Sequence, residues 1–271
     1  MILDEVITRP EIMKITKDSE GNEFAELSGS FAANAGITVR GTYQEDDSFH
    51  MDYYYPYVFG TSITTNEQID VEKHAEKESY AGVCDEVNLG VTLIFYIQNV
   101  ADYLAETNRH LSKIHYGAML AGLSTEGKIL CPVVEKKKND VPAIQKNDRH
   151  NQLIAQAREG DEDAIESLTL EDMDTYALLS QRVMKEDISV IVKSTFMPFG
   201  IESDQYTVLG EIIDCVTMEN KLTHEKLYGM KLLCNNIQFD VCINEKDLLG
   251  EPAIGRRFRG NVWMQGNLCL E

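Results

Sequence analysis

YTVLGEIIDCV (206–216), LYGMKLLCN (227–235), IQFDVCIN (237–244) and DLLGEPAIGRRFRGNVWMQG (247–266) follow one another near the end of the sequence. Each run is rich in β-branched, leucine and aromatic residues and is bounded by Gly, Asn or Asp, the residues that tolerate tight turns. Short strands at this spacing pair with their sequence neighbours. The stretch 204–271 therefore predicts a small β-barrel-like unit, with an OB-like barrel as its most specific form.

Upstream, the pattern changes twice. Ile37 to Gln44 alternates, with Ile37, Val39 and Tyr43 on one face. After the turn Glu45-Asp46-Asp47-Ser48, the segment Phe49 to Tyr57 alternates again, which predicts an antiparallel hairpin. MKITK and EFAELSGSF read as two further strands, preceded by a short helix that stops before Pro10. Leu89 to Arg109 starts as a strand and ends as a helix, and Ala118 to Val134 reads as a hairpin turning at Ser124-Thr125-Glu126-Gly127. Residues 1–134 thus form an antiparallel α+β unit. EKKKNDVPAIQKNDR (135–149) is polar and aperiodic, and marks a linker over 135–150. From 151 to 203 the spacing turns helical, and the last helix of this connector is expected over Glu186 to Phe196 before Pro198. The fold class is α+β.

The chain carries 45 acids against 25 bases, a net charge of -20. The excess is -10 over residues 1–150, -7 over 151–203 and only -3 over 204–271. Such a charge repels nucleic acid and anionic lipid at long range, so both are poor partners. No apolar window is long enough for a membrane span, and the first residues lack the basic and apolar regions of a secretory signal. A cytoplasmic location is expected. The six cysteines form no CxxC pair and read as small reduced hydrophobes; Cys234 and Cys242 sit on neighbouring strands, where a bridge is sterically conceivable but not required.

No dinucleotide fingerprint, P-loop, HExxH or GxSxG elbow occurs. The nearest approach to a catalytic element is His74-Ala75-Glu76. An H-x-E occurs in zinc deaminases, but the paired cysteines that would hold the metal are missing, and a helical His74–Glu78 polar pair is the simpler reading. The acidic run from Asp161 to Asp174 lacks the glycine and spacing of a calcium loop and suits helix N-termini instead. Tyr53 and Tyr55, on one face of their strand, are the candidates for a small-ligand surface in the first half. Arg257 and Arg259 share a strand face in the second half and are the candidates for phosphate contact. No metal site and no cofactor is expected.

ITVRG (37–41), HAEKESYAGVCD (74–85), AREGDEDAIESLTLEDMDTY (157–176) and LLGEPAIGRRFRGNVWMQG (248–266) together resemble an uncharacterised bacterial family, a domain of unknown function frequent in clostridial genomes. The resemblance covers nearly the whole chain and implies a cytoplasmic bacterial protein, without bringing an activity, a cofactor or site residues. The functional expectation is a non-enzymatic binding or regulatory protein that contacts a protein or a small ligand. Its alternatives are an enzyme with a site near His74 and Glu76, and a nucleic-acid contact through the C-terminal β-unit.

Overall fold

The structure, a computed structural model, describes residues 2–74, 77–86, 88–109, 115–132, 192–201 and 203–270. The chain divides into two units, Met1–Pro132 with Ser194–Glu271, and Val133–Lys193. The elements below belong to the first. The linker expected over 135–150 and the connector helices expected before residue 192 lie outside the described residues.

Strands β1 (Ile12–Lys17), β2 (Glu23–Ala32), β3 (Ala35–Tyr43) and β4 (Phe49–Val58) form a four-stranded antiparallel sheet in sequence order. The expected Ile37 hairpin is β3–β4, turning through 45–48. Alternation gives this sheet two different faces. On one, Ala25, Leu27 and Val39 meet Val6 of helix α1 (Ile2–Thr8). On the other, register lines up Glu26, Arg40 and Tyr53 across three strands, with Ser28, Thr38 and Tyr55 in the next row.

The remaining strands are β5 (Thr65–His74), β6 (Ser79–Glu86), β7 (Val91–Ile97), β8 (His115–Leu130), β9 (Thr195–Pro198), β10 (Gln205–Glu219), β11 (Lys226–Cys234), β12 (Ile237–Asn244), β13 (Leu248–Leu249) and β14 (Arg257–Leu268). Helix α2 (Val100–Asn108) follows β7 as expected, with Val100, Ala101 and Leu104 buried. These strands make one ten-stranded sheet whose ladders return on themselves twice. One circuit runs β8–β5–β6–β7–β14 and back to β8. The other runs β14–β10–β11–β12–β8 and back to β14. β8 and β14 are the shared seam, paired from Arg257↔Leu130 to Leu268↔Ala118. A single hydrophobic cluster fills both, from Leu93 and Phe95 to Phe239, Phe258 and Met264.

This seam corrects three expectations. The N-terminal and C-terminal β-regions are not separate domains, because β8 from the first and β14 from the last share their longest ladder. Ala118 to Leu130 is not a hairpin but part of one 16-residue strand. Ser124-Thr125-Glu126-Gly127 makes a bulge against Asn261/Val262 rather than a turn. The ladder to β14 supplies bonds on both sides of the bulge, so the turn-like residues bend the strand without ending it. Phe196, read as the end of a helix, lies in β9 opposite Val208, and its buried ring meets Tyr206 at 4.5 Å. The mainly β content and short helices keep the fold in the α+β class. Cys234 pairs in register with Ile237, and Cys242 with Gly229, so the two are not opposite one another; all six cysteines are free.

Candidate functional site

The sequence candidates fall at two places. The first is the contact between the two sheets. Arg40 is wholly buried there, and its guanidinium is saturated. Nε donates to Glu26 at 3.0 Å, Nη1 to the Tyr53 and Tyr96 hydroxyls at 3.0 and 2.8 Å, and Nη2 to the Tyr55 hydroxyl, Ile97 O and Gln98 O at 3.1, 3.1 and 2.7 Å. Every guanidinium N–H has an acceptor, which is what a buried arginine requires. Burial alone would lower the pKa of Arg40; the tyrosine oxygens, led by Tyr55, and Glu26 hold it well above its ordinary value. Burial pushes the Glu26 carboxyl up, and Arg40 offsets part of that.

Tyr53, Tyr55 and Tyr96 also line a recess of about 300 Å³ with His74, Lys77 and Ser79. The structure thus brings together both N-terminal candidates, the tyrosines and His74. The tyrosine hydroxyls are committed elsewhere. The Tyr53 hydroxyl donates to Glu78 O at 2.7 Å and the Tyr55 hydroxyl to Gln98 O at 3.2 Å. Burial raises the pKa values of Tyr55 and Tyr96 far above that of a free phenol, which removes them as proton donors or acceptors near neutrality. What the tyrosines offer the recess is ring surface.

His74 is exposed at the end of β5, in register with Ser79, and its side chain makes no hydrogen bond among the described residues. The helical His74–Glu78 pair does not form. Glu78 instead accepts from Ser19 Oγ at 2.5 Å, from Lys73 at 2.8 Å and from the Tyr80 hydroxyl. Burial would raise its pKa, but these bonds outweigh that and hold it below the ordinary value. Glu76 lies outside the described residues. Among the described residues no group of three His, Cys, Asp or Glu side chains is placed to hold a metal.

The second place is the β8–β14 seam. Arg257 and Arg259 do share one face of β14, yet they part in environment. Arg257 is buried, donates Nε to Cys131 O at 3.1 Å, and has its pKa held down by burial. It is not available to a phosphate, which corrects the two-arginine contact strand. Arg259 is half-buried and lines a groove of about 560 Å³ where β8, β14 and β10 meet the 3-10 turn Glu245–Asp247.

The register decides what stands in that groove. Lys128 lies directly opposite Arg259 across the antiparallel ladder, so two cations face the same space. Like charges in this position destabilise a sheet. The Lys128 side chain makes no hydrogen bond or ion pair among the described residues. Lys246 enters from the turn, with its pKa raised by its 2.7 Å pair with Glu225. Asn261 is locked between the Thr207 hydroxyl, at 2.7 Å, and the Glu126 carboxylate. The β8–β14 bulge at Asn261/Val262 lies beside the groove.

Two glycines let the seam close beneath the groove. A Cβ on Gly127 would meet the Phe258 ring at 2.4 Å, and one on Gly260 would meet the same ring at 2.5 Å. Sequence reasoning found Arg259 from its neighbours. It missed Lys128, Lys246, Asn261 and Thr207, because none is close to Arg259 in sequence and only register joins them.

Fold and groove define an α+β protein, mainly of strands, with a cationic groove on a strand seam. The sequence matches the family described as "Domain of unknown function, E. rectale Gene description (DUF3881)" over residues 1–266, and the chain belongs to that family. No curated protein and no solved structure matches it. Among the described residues no helix is long and apolar enough to cross a membrane.

Proposed function

We propose that the protein is a non-enzymatic, cytoplasmic binding protein that takes a small polar ligand in the β8–β14 groove. The observation that supports this most directly is Lys128 opposite Arg259. A sheet gains nothing from two cations in one rung. A ligand that accepts from the Lys128 ammonium, whose side chain has no partner among the described residues, would turn that position into affinity. The groove's size of about 560 Å³ is in the range of small-ligand sites, and its polar groups converge from four separate segments. The circuit β14–β10–β11–β12–β8 has one parallel pair among antiparallel ones. We read it as a small OB-like barrel entered at a different strand, an analogy of fold that carries no function by itself.

The test is thermal denaturation of the full chain against a panel of charged and neutral small molecules, with Lys128→Ala as the control. At least one ligand should raise the Tm of the natural protein and leave that of the variant unchanged. A panel in which no compound distinguishes the two proteins would count against the groove as a binding site. The recess at Tyr53, Tyr55 and His74 is the weaker place for a ligand or for catalysis, because its tyrosine hydroxyls are already bonded.

A further inference from the structure

A second recess lies apart from the β8–β14 groove, on the outer face of β10, β11 and β12. Met230 of β11 belongs to the core, so alternation turns Gly229 and Lys231 outward. Register then sets two rows across the three strands, Asp214–Lys231–Asp240 and Val216–Gly229–Cys242. Val58, at the end of β4, packs over Cys242 and Ala121. Phe59 follows it, half-buried and stacked on Tyr57 at 4.3 Å. This cover stops short of β10, where Val216 is 51% exposed. Phe59, Val216 and Gly229 line the cavity that results, of about 370 Å³.

Its floor is low because Gly229 carries no side chain. A Cβ there would stand 3.0 Å from Val216 Cγ2 and 3.1 Å from Met218 Cε. A glycine inside a strand weakens it, and often marks a place where something approaches the backbone closely. With Phe59, Val216 and Met218 around it, this floor suits a flat apolar ring.

The polar row decides the charge of the ligand. Lys231 donates to Ser62 Oγ at 3.1 Å. Thr61, the preceding residue, donates from N and Oγ1 to one oxygen of Asp240, at 2.7 and 2.9 Å. Lys231 therefore leans toward the loop that also serves Asp240, on the β12 side. Asp214, exposed on the β10 side, accepts from the adjoining Cys215 N at 2.8 Å and forms no ion pair with Lys231. Two acids and one cation leave the row negative, with Asp214 open to a cation from outside.

We infer that this recess binds a small arylalkylamine, its ring on the Gly229 floor beside Phe59 and its ammonium on the Asp214 carboxylate. An anion of the same shape meets a negative row, and an aliphatic amine lacks the ring that the floor takes.

The test follows the Met218 methyl signal by NMR of the full chain with isotope-labelled methionine, the signal being identified by its loss in Met218→Leu. Phenethylamine should shift it saturably. Hydrocinnamate and hexylamine should bind more weakly than phenethylamine. Phenethyl alcohol, the neutral counterpart, should bind about 2- to 5-fold more weakly, the range of one exposed ion pair. Asp214→Asn should weaken phenethylamine by the same factor and leave phenethyl alcohol unchanged. Gly229→Ala raises the floor and should weaken both compounds; should it not fold, Val216→Ser at the exposed edge carries the same expectation. Retained melting cooperativity shows which variants fold. A Met218 signal that phenethylamine does not move, hydrocinnamate as effective as phenethylamine, or binding untouched by Asp214→Asn overturns the inference.

Discussion

Arg40 and Arg259 are the same residue in opposite circumstances. Arg40 lies between two sheets with every N–H bonded, paired with Glu26 at 2.9 Å and ringed by Tyr53, Tyr55 and Tyr96. Arg259 is half-buried and faces Lys128 across a ladder. Arg40 stands opposite an acid in its ladder, while Arg259 stands opposite a lysine. A saturated buried arginine holds elements together, whereas on the proposed reading the unpartnered side chain of Lys128 is kept for something outside the chain. Tyrosines around a cation resemble a binding site in sequence, and here they belong to the first kind.

The comparison breaks most sharply at Arg40. Arg40→Met leaves Glu26 buried without its partner, and should cost about 3–5 kcal/mol, read from urea denaturation. Adding Glu26→Leu should recover part of that loss, because an apolar pair no longer strands a charge. An Arg40→Met protein with unchanged stability would mean that this cation is not structural. At the groove, the comparable change is to the seam beneath it. Gly127→Ala drives a Cβ toward the Phe258 ring, and should cost about 1–3 kcal/mol by overpacking. Gly127→Ala with Phe258→Leu should restore some of it. Full stability of the single variant would show that the ring moves aside freely.

These two regions were unequally legible. The Ile37 hairpin, the strand–helix change after Leu89 and the C-terminal strands were visible because each depends on local periodicity. The role of Arg40 was not, because the row Glu26–Arg40–Tyr53 exists only once three strands are in register. The same holds for Lys128, which looked like the second arm of a hairpin until its 16-residue strand and long ladder with β14 were known. The joining of the first and last β-regions into one sheet is a contact between residues more than a hundred positions apart, and no local pattern encodes it. Arg257 and Arg259 show the limit from the other side. Alternation put them on one face correctly, but burial along that face depends on what packs over each residue.

A smaller effect separates the regions by pH. Glu78, whose backbone oxygen accepts from Tyr53, has its carboxyl pKa held below the ordinary value by Lys73, Ser19 and Tyr80 against the opposing effect of burial. A carboxyl with a depressed folded pKa stabilises the fold above its unfolded value of about 4.3, and that stability is lost as pH falls through the lower folded value. Glu78→Gln should therefore cost about 1 kcal/mol at neutral pH. It should also flatten the acid limb of the stability curve below about pH 4.3. An acid limb unchanged in slope would place the acid sensitivity in other carboxylates, such as Glu86, which is also held low.

The smallest expected change has the opposite sign and bears most directly on the groove. Lys128→Met keeps the length of the side chain and removes the charge facing Arg259. If the rung exists for the fold, losing a cation should destabilise the protein or leave it unchanged. If the rung exists for a ligand, the ligand-free variant should be more stable than the natural protein, by about 0.5 kcal/mol, because a like-charge pair has been relieved. The gain should shrink as salt is added, since screening already softens the repulsion in the natural protein. Stability that rises on loss of a polar side chain is the usual signature of a residue kept for binding at some cost to folding. At Arg40 the same type of substitution should do the reverse, so one pair of denaturation curves measures the difference between the two regions directly.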